Sequence, residues 1–76
     1  MKNYEVSISK VEMDAYDRKW ECVYETTKLS LAEKRAIQLS KRHDVVESEL
    51  RGFDEDHDVC LHRYYANGTL SFDMGL

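Results

Sequence analysis

The chain contains no proline and only three glycines, Gly52, Gly68 and Gly75, each isolated from the others. Isolated glycines exclude a glycine-rich loop that cradles phosphate. Without a Pro- or Gly-rich linker, the 76 residues read as one small domain. No long apolar run is present, which excludes a membrane-spanning helix, and the first residues lack the apolar stretch of an export signal. Two cysteines, Cys22 and Cys60, sit in strand-like patterns without Cys-x-x-Cys spacing. They predict reduced core or near-core thiols in a cytoplasmic protein, not a disulfide framework or a zinc site.

What is present is charge and alternation. Charged residues make up 34% of the chain against 42% apolar, with a formal net charge of −4 and a pI near 5.3. The charge is uneven. Residues 28–43 carry five bases against one acid, and residues 44–58 carry one base against seven acids. A net acidic chain argues against broad, nonspecific nucleic-acid binding but leaves a local basic patch.

The segment Lys28 to His43, KLSLAEKRAIQLSKRH, predicts the one helix. Ser30 followed three residues later by Glu33 has the form of a capping box. Leu29, Ala32, Ala36, Leu39 and His43 fall on one stripe with Ile37 at its margin, and the two alanines imply close approach to a sheet. Lys34, Gln38, Lys41 and Arg42 lie opposite, flanked by Arg35 and with Leu31 as an apolar residue among them.

The rest reads as strand and turn. Tyr4, Val6 and Ile8 alternate with Glu5, Ser7 and Ser9, and the apolar phase then shifts to Val11 and Met13, as a bulge near Ser9–Lys10 would produce. A turn over residues 14–18 leads to Lys19–Thr27, with Trp20, Cys22 and Tyr24 expected on one face of a strand that forms a hairpin with the first. Val45–Phe53 predicts an edge strand with Glu47, Glu49 and Arg51 on one side and Val46, Ser48 and Leu50 on the other. An acidic loop, residues 54–58, follows. Asn67-Gly68 predicts a two-residue type I′ turn. Closed there without interruption, it faces residues whose numbers sum to 135. Val59, Leu61, Tyr65, Leu70, Phe72 and Met74 then share a core face with Arg63, and His62 lies opposite Asp73 on the other. The fold class is α+β: a single helix on one face of a four- to five-stranded antiparallel sheet, in the order β-β-α-β-β-β.

No residue set meets the requirements of catalysis. His62 beside Asp73 lacks a nucleophile as third member. The run Asp54, Glu55, Asp56, His57, Asp58 lacks the ligand alternation, glycine and distal glutamate of a calcium loop. The expectation is a non-enzymatic protein with no metal and no cofactor. Binding surfaces remain. One is acidic, Glu47, Glu49, Asp54, Glu55, Asp56 and Asp58. A second is the basic helix face Lys34, Arg35, Lys41 and Arg42. A third is the uncovered sheet face, where His62, Tyr64 and Tyr16 offer rings for stacking.

The stretch Ser30-Leu-Ala-Glu-Lys34-Arg35, followed by Lys41 within the β-β-α-β-β-β order, resembles the small anti-CRISPR proteins encoded by phages and mobile elements. The likeness is one of size, topology and a short helix motif. It implies stoichiometric binding to a host protein or ribonucleoprotein effector, and the acidic segment after the helix suits the nucleic-acid-mimicking members. The alternatives are a small nucleic-acid-binding module using the basic helix and open sheet face, and a homodimeric structural or regulatory protein.

Overall fold

The computed structural model describes residues 2–10 and 20–75. Val11, Met13, Tyr16 and the turn expected over residues 14–18 lie outside the described residues. In chain order the elements are β1 (Asn3–Lys10), β2 (Trp20–Thr26), α1 (Leu29–Ser40), β3 (Val45–Phe53), β4 (Val59–Ala66) and β5 (Thr69–Asp73). The strands form one five-stranded sheet in the order β2-β1-β3-β4-β5, every neighbouring pair antiparallel. One helix therefore packs on one face of an antiparallel sheet, as the patterning predicts.

The core lies between α1 and the middle of the sheet. Tyr4, Val6, Leu50 and Tyr65 meet Ala32 and Ala36, both fully buried, with Tyr24, Leu29, Ile37, Leu39 and Leu61 packed around them. Two methyl side chains in the contact stripe let the helix axis come close to the strands, so β1 and β3 lose their central side chains from water completely. Tyr4 lies across from Gly52, where a Cβ would stand only 2.8 Å from the tyrosine ring. That glycine gives the ring its seat. Ser48 Oγ donates to the Ala36 carbonyl at 2.6 Å, a buried hydrogen bond that pins helix to sheet.

The ends of the helix differ from the expected ones. Lys28 is the N-cap, no side chain caps the first turn, and Glu33 reaches sideways to Arg63 at 3.1 Å instead of back to Ser30. Thr26 Oγ1 accepts from the Lys28 amide at 3.1 Å, so the strand that precedes the helix supplies the local contact. At the other end the helix stops at Ser40, before His43. The Ser40 carbonyl accepts from the Asn67 amide at 3.1 Å and its hydroxyl accepts from the Gly68 amide at 2.9 Å. The tip of the β4–β5 hairpin thus takes the acceptor that a further helical turn would have used. Asn67 and Gly68 both have positive φ, 54° and 81°, as the expected turn requires.

Four one-residue irregularities among the described strands, one of them leaving Cys60 as the extra residue on β4 between Leu61 opposite Gly52 and Val59 opposite Phe53, decide which side chains face where. Against β1, β2 steps from Tyr24 opposite Val6 to Cys22 opposite Ser7, leaving Val23 as the extra residue. Trp20 and Cys22 therefore face away from the helix and Tyr24 faces it, where a single face was expected for all three. Cys22 is exposed and Cys60 half-buried, so Cys22 is not a core thiol. Against β1, β3 steps from Glu47 opposite Ser9 to Val45 opposite Lys10, so the extra residue is Val46 on β3, not one on β1, and the expected phase shift to Val11 and Met13 lies outside the described residues. On β5 the register steps from Tyr65–Leu70 to Tyr64–Phe72 across Ser71. Phe72 consequently joins the open face, and Asp73 lies opposite Arg63, Oδ2 to Nε 3.3 Å, rather than opposite His62.

β3 is the central strand, not an edge. Its charged residues do not guard an edge because they find cross-strand partners on the open face.

Candidate docking face on the open side of the sheet

On the uncovered face the ladders set three rows of side chains. Glu5, Arg51 and His62 form one, Cys22, Ser7, Glu49, Tyr64 and Phe72 a second, and Trp20, Ser9 and Glu47 a third. Ser7 and Ser9 on β1 are almost wholly buried. Residues of that size leave the middle of the sheet low, and larger side chains from both flanks close over it.

Glu49 is the anchor of the second row. Its side chain is only 10% exposed, with His62 Nε2 at 2.8 Å from one carboxylate oxygen and Arg51 Nε at 3.3 Å from the other. The Arg51 contact is an ion pair that falls short of a hydrogen bond. Tyr64 stands opposite the same residue on the β3–β4 ladder. Burial, then the nearby Glu49 carboxylate and the charge of Glu47, push the Tyr64 phenol above its ordinary pKa. The phenol stays protonated through neutral pH.

Above this floor lies a row of rings. Tyr64 is 5.0 Å from His62, centroid to centroid, with the planes 37° apart. On its other side Trp20 is 5.8 Å away at 58°. Strand spacing separates β2 from β4 by about 14 Å, so Trp20 and Tyr64 meet by lying down over Ser7 and Ser9. Trp20, Tyr64, Phe72 and Glu47 line a groove of about 400 Å³. Trp20 and Phe72 keep 38% and 56% of their surface exposed.

The residues singled out from sequence fall in different places. His62, Tyr64, Glu47 and Glu49 come together on this face, with Glu49 engaged inside it. Asp54, Glu55, Asp56 and Asp58 lie in the β3–β4 loop, about 23 Å along the strand from Glu47 at the usual rise per residue. There the Asp54 carboxylate accepts from the amides of Asp56 and Asp58 at 2.9 and 3.0 Å, closing the loop on itself. Asp54, Asp56 and Asp58 bring one carboxylate oxygen each within 4.8 Å of the others. The acidic segment is therefore two separate patches.

The basic helix face is divided as well. Lys34 is exposed, while the Arg35 guanidinium sits 4.8 Å above the Tyr24 ring. Lys41 and Arg42 lie beyond the helix end. The Lys41 side chain lies against Gly68. Arg42 binds the Asp44 carboxylate through two nitrogens at 2.7 and 3.0 Å, which holds the Asp44 carboxyl below its ordinary pKa.

Chemically, this arrangement favours holding over reacting. The His62 imidazole is fixed on a carboxylate that already has other partners. Although Cys22 is exposed, partial desolvation by its neighbours pushes its thiol up, a backbone hydrogen bond at Tyr24 opposes this, and the Glu5 and Glu25 carboxylates add to the rise. A thiol so placed is a weak nucleophile.

Trp20 and Phe72 escaped the reading from sequence because the bulge at Val23 separates Trp20 from Tyr24 and the one at Ser71 moves Phe72 off the expected core face. The available signal was Ser7 and Ser9, two small residues between apolar ones in a strand that the helix covers on its other side. No family model, no curated protein and no solved structure matches the chain. No helix among the described residues is long and apolar enough to cross a membrane.

Proposed function

We propose that this protein is a non-enzymatic binding protein that docks through its open sheet face on the basic surface of a nucleic-acid-handling host protein and blocks access of nucleic acid. That is the mode of action implied by its resemblance to anti-CRISPR inhibitors. The observation that supports it is the combination on one face of exposed Trp20 and Phe72, the near-buried Glu49 carboxylate with half-buried His62 and Tyr64 around it, and the carboxylate of Glu47. Aromatic anchors on an ordered floor are what binding hot spots require, and acidic groups beside them complement a surface shaped for phosphate. Their engaged partners keep the floor rigid, which lowers the entropy lost on docking.

The test is capture of partners from bacterial lysate by the tagged protein, with and without nuclease, followed by mass spectrometry. A nucleic-acid-handling protein retained after nuclease, and lost with the double variant Glu47→Lys/Phe72→Lys, is the expected result. Retention unaffected by those substitutions overturns the assignment of the face.

A second reading has one observation in its favour. The row Trp20, Tyr64, His62 resembles the stacking platforms that hold single-stranded bases. Glu47 and Glu49 oppose phosphate there, so this reading requires retention on a single-stranded DNA column that weakens with salt.

A further inference from the structure

The arginines of this chain are not treated alike. Among the described residues, Arg42 rests on Asp44, Arg51 on Glu49, and Arg63 between Glu33 and Asp73. Arg35 has no carboxylate partner among them; its guanidinium lies on the Tyr24 ring, 4.8 Å from the centroid. Lys34 beside it forms no ion pair there either. Acids outnumber bases by fifteen to eleven, so two adjacent cations without a carboxylate run against the balance of the chain. Of the neighbouring acids, Glu33 goes to Arg63, and Glu21, on the helix side of β2 opposite Ile8, pairs with neither cation.

Leu31, Lys34, Arg35 and Gln38 recur at helical spacing on one side of α1. With Tyr24 on the edge strand β2 they line an open groove of about 220 Å³. Three of these side chains end in N–H donors, and the Gln38 amide has no hydrogen-bond partner among the described residues. The Tyr24 ring is half-buried and packs on the core, so it offers Arg35 a fixed seat. Stacking engages one face of the guanidinium and leaves the N–H groups at its edge to donate. Leu31, 42% exposed, supplies an apolar wall.

We propose that this groove binds the phosphate monoester of a mononucleotide, the phosphate held by Arg35, Lys34 and the Gln38 amide and the nucleoside resting on Leu31. The groove lies on the helix side, away from the open sheet face, so the inference does not rest on the docking reading. Charge, donor number and size select the ligand. A phosphate monoester carries close to two negative charges at neutral pH, which suits two cations, whereas a carboxylate or a phosphodiester carries one. Its three terminal oxygens suit three donor side chains, where a carboxylate is satisfied by one arginine fork. The groove holds several times the ~30 Å³ of a water molecule but falls below the ~300 Å³ at which pockets for drug-sized ligands begin. It therefore has room for a phosphate with part of its carrier, and for no more than one nucleotide.

The experiment titrates the full chain at low salt with adenosine 5′-monophosphate, its methyl diester, adenosine, inorganic phosphate and phosphotyrosine amide. Heteronuclear NMR follows the Arg35 Nε–H and the Gln38 side-chain amide. The expected result is saturable binding of the monophosphate in the millimolar range, at least about fivefold tighter than adenosine and about threefold tighter than the diester, as exposed charge pairs supply. Lys34→Gln should weaken it by about threefold. Arg35→Lys, which keeps the charge and loses the fork, should weaken it by about as much. Both positions are exposed, so the melting temperature should not change.

Equal binding of adenosine overturns phosphate recognition. Binding undiminished in the double variant Lys34→Gln/Arg35→Lys overturns the site. Inorganic phosphate binding as tightly as the monophosphate, or phosphotyrosine amide binding more tightly, overturns the choice of a mononucleotide. Capture of the protein partner should be retained by the same double variant, which separates this site from the docking face.

Discussion

The two faces of the sheet solve the same problem with different materials. On the helix side, large apolar residues, Tyr4, Val6, Leu50 and Tyr65, are capped by two alanines, and polar contact is confined to pins such as Ser48 to Ala36. On the open side, small serines and a near-buried carboxylate form the floor, and aromatic rings lie over them. The first face draws its stability from area removed from water, with each large side chain fully buried contributing roughly 1.5–3 kcal/mol. The second contributes less to stability and more to definition. Its near-buried carboxylate, Glu49, is held between His62 and Arg51, which leaves few ways to arrange the rings above it. A face built this way stays ordered without a covering layer.

If this contrast is right, the largest effect comes from the helix side. Leu50→Ala opens a cavity under Ala32 and Ala36 and should cost about 2–5 kcal/mol in chemical denaturation, a large fraction of a small domain's total. Phe72→Ala on the open side should change stability by no more than about 0.5 kcal/mol, because a half-exposed edge residue has little burial to lose. It should nonetheless abolish partner capture. Reversal of that order, with Phe72 the more destabilising, would mean that the open face carries core weight.

Next comes the floor. Glu49→Ala removes the carboxylate held between His62 and Arg51 and leaves them to rearrange, at about 1–3 kcal/mol. Because the carboxylate is 10% exposed, the loss should persist in high salt, unlike that of a surface pair. Loss of the Trp20–Tyr64 ring contact in the near-ultraviolet circular dichroism should accompany it. Ser48→Ala on the helix side removes one buried donor and should cost about 0.5–1.5 kcal/mol by the same measurement.

Much of the helix side was legible in advance and little of the open side. Alternation at Tyr4, Val6 and Ile8, the Ala32–Ala36 stripe and the Asn67-Gly68 pair gave the elements, their order and the covered face, because periodicity reports burial directly. The errors came from single residues. Val23 and Ser71 each add one residue to a strand, and a one-residue step moves every side chain beyond it to the opposite face. That is why Trp20 and Tyr24 were placed on one face when the sheet separates them, why Phe72 was placed on the core face, and why His62 was matched with Asp73 instead of Glu49. Nothing local marks Val23 or Ser71 as bulges; they follow from how whole strands fit the twisted sheet. The charges on β3 misled for a related reason. Glu49 and Arg51 looked like guards of an edge because their partners, Ser7, Glu5 and His62, are brought beside them only by the finished topology. The capping box failed differently. Arg63, thirty positions away, outcompeted the Ser30 amide for the Glu33 carboxylate.

The smallest expected effect tests the floor through pH. The Tyr64 phenol is raised in the folded protein, so the fold favours its neutral form. Stability from this source is complete below the pKa of an unfolded tyrosine and is lost as pH rises through the folded value. Cys22, also raised, acts in the same direction at the lower pH where thiols ionise. Wild-type protein should therefore lose stability in alkaline solution in two overlapping steps. Cys22→Ala should remove the first. Tyr64→Phe should show a shallower alkaline decline, read from denaturation midpoints across the alkaline range. An unchanged decline in Tyr64→Phe would place the phenol away from the Glu49 carboxylate. The rings would then rest on no ordered floor, and the open face would differ from the helix side only in lacking a cover.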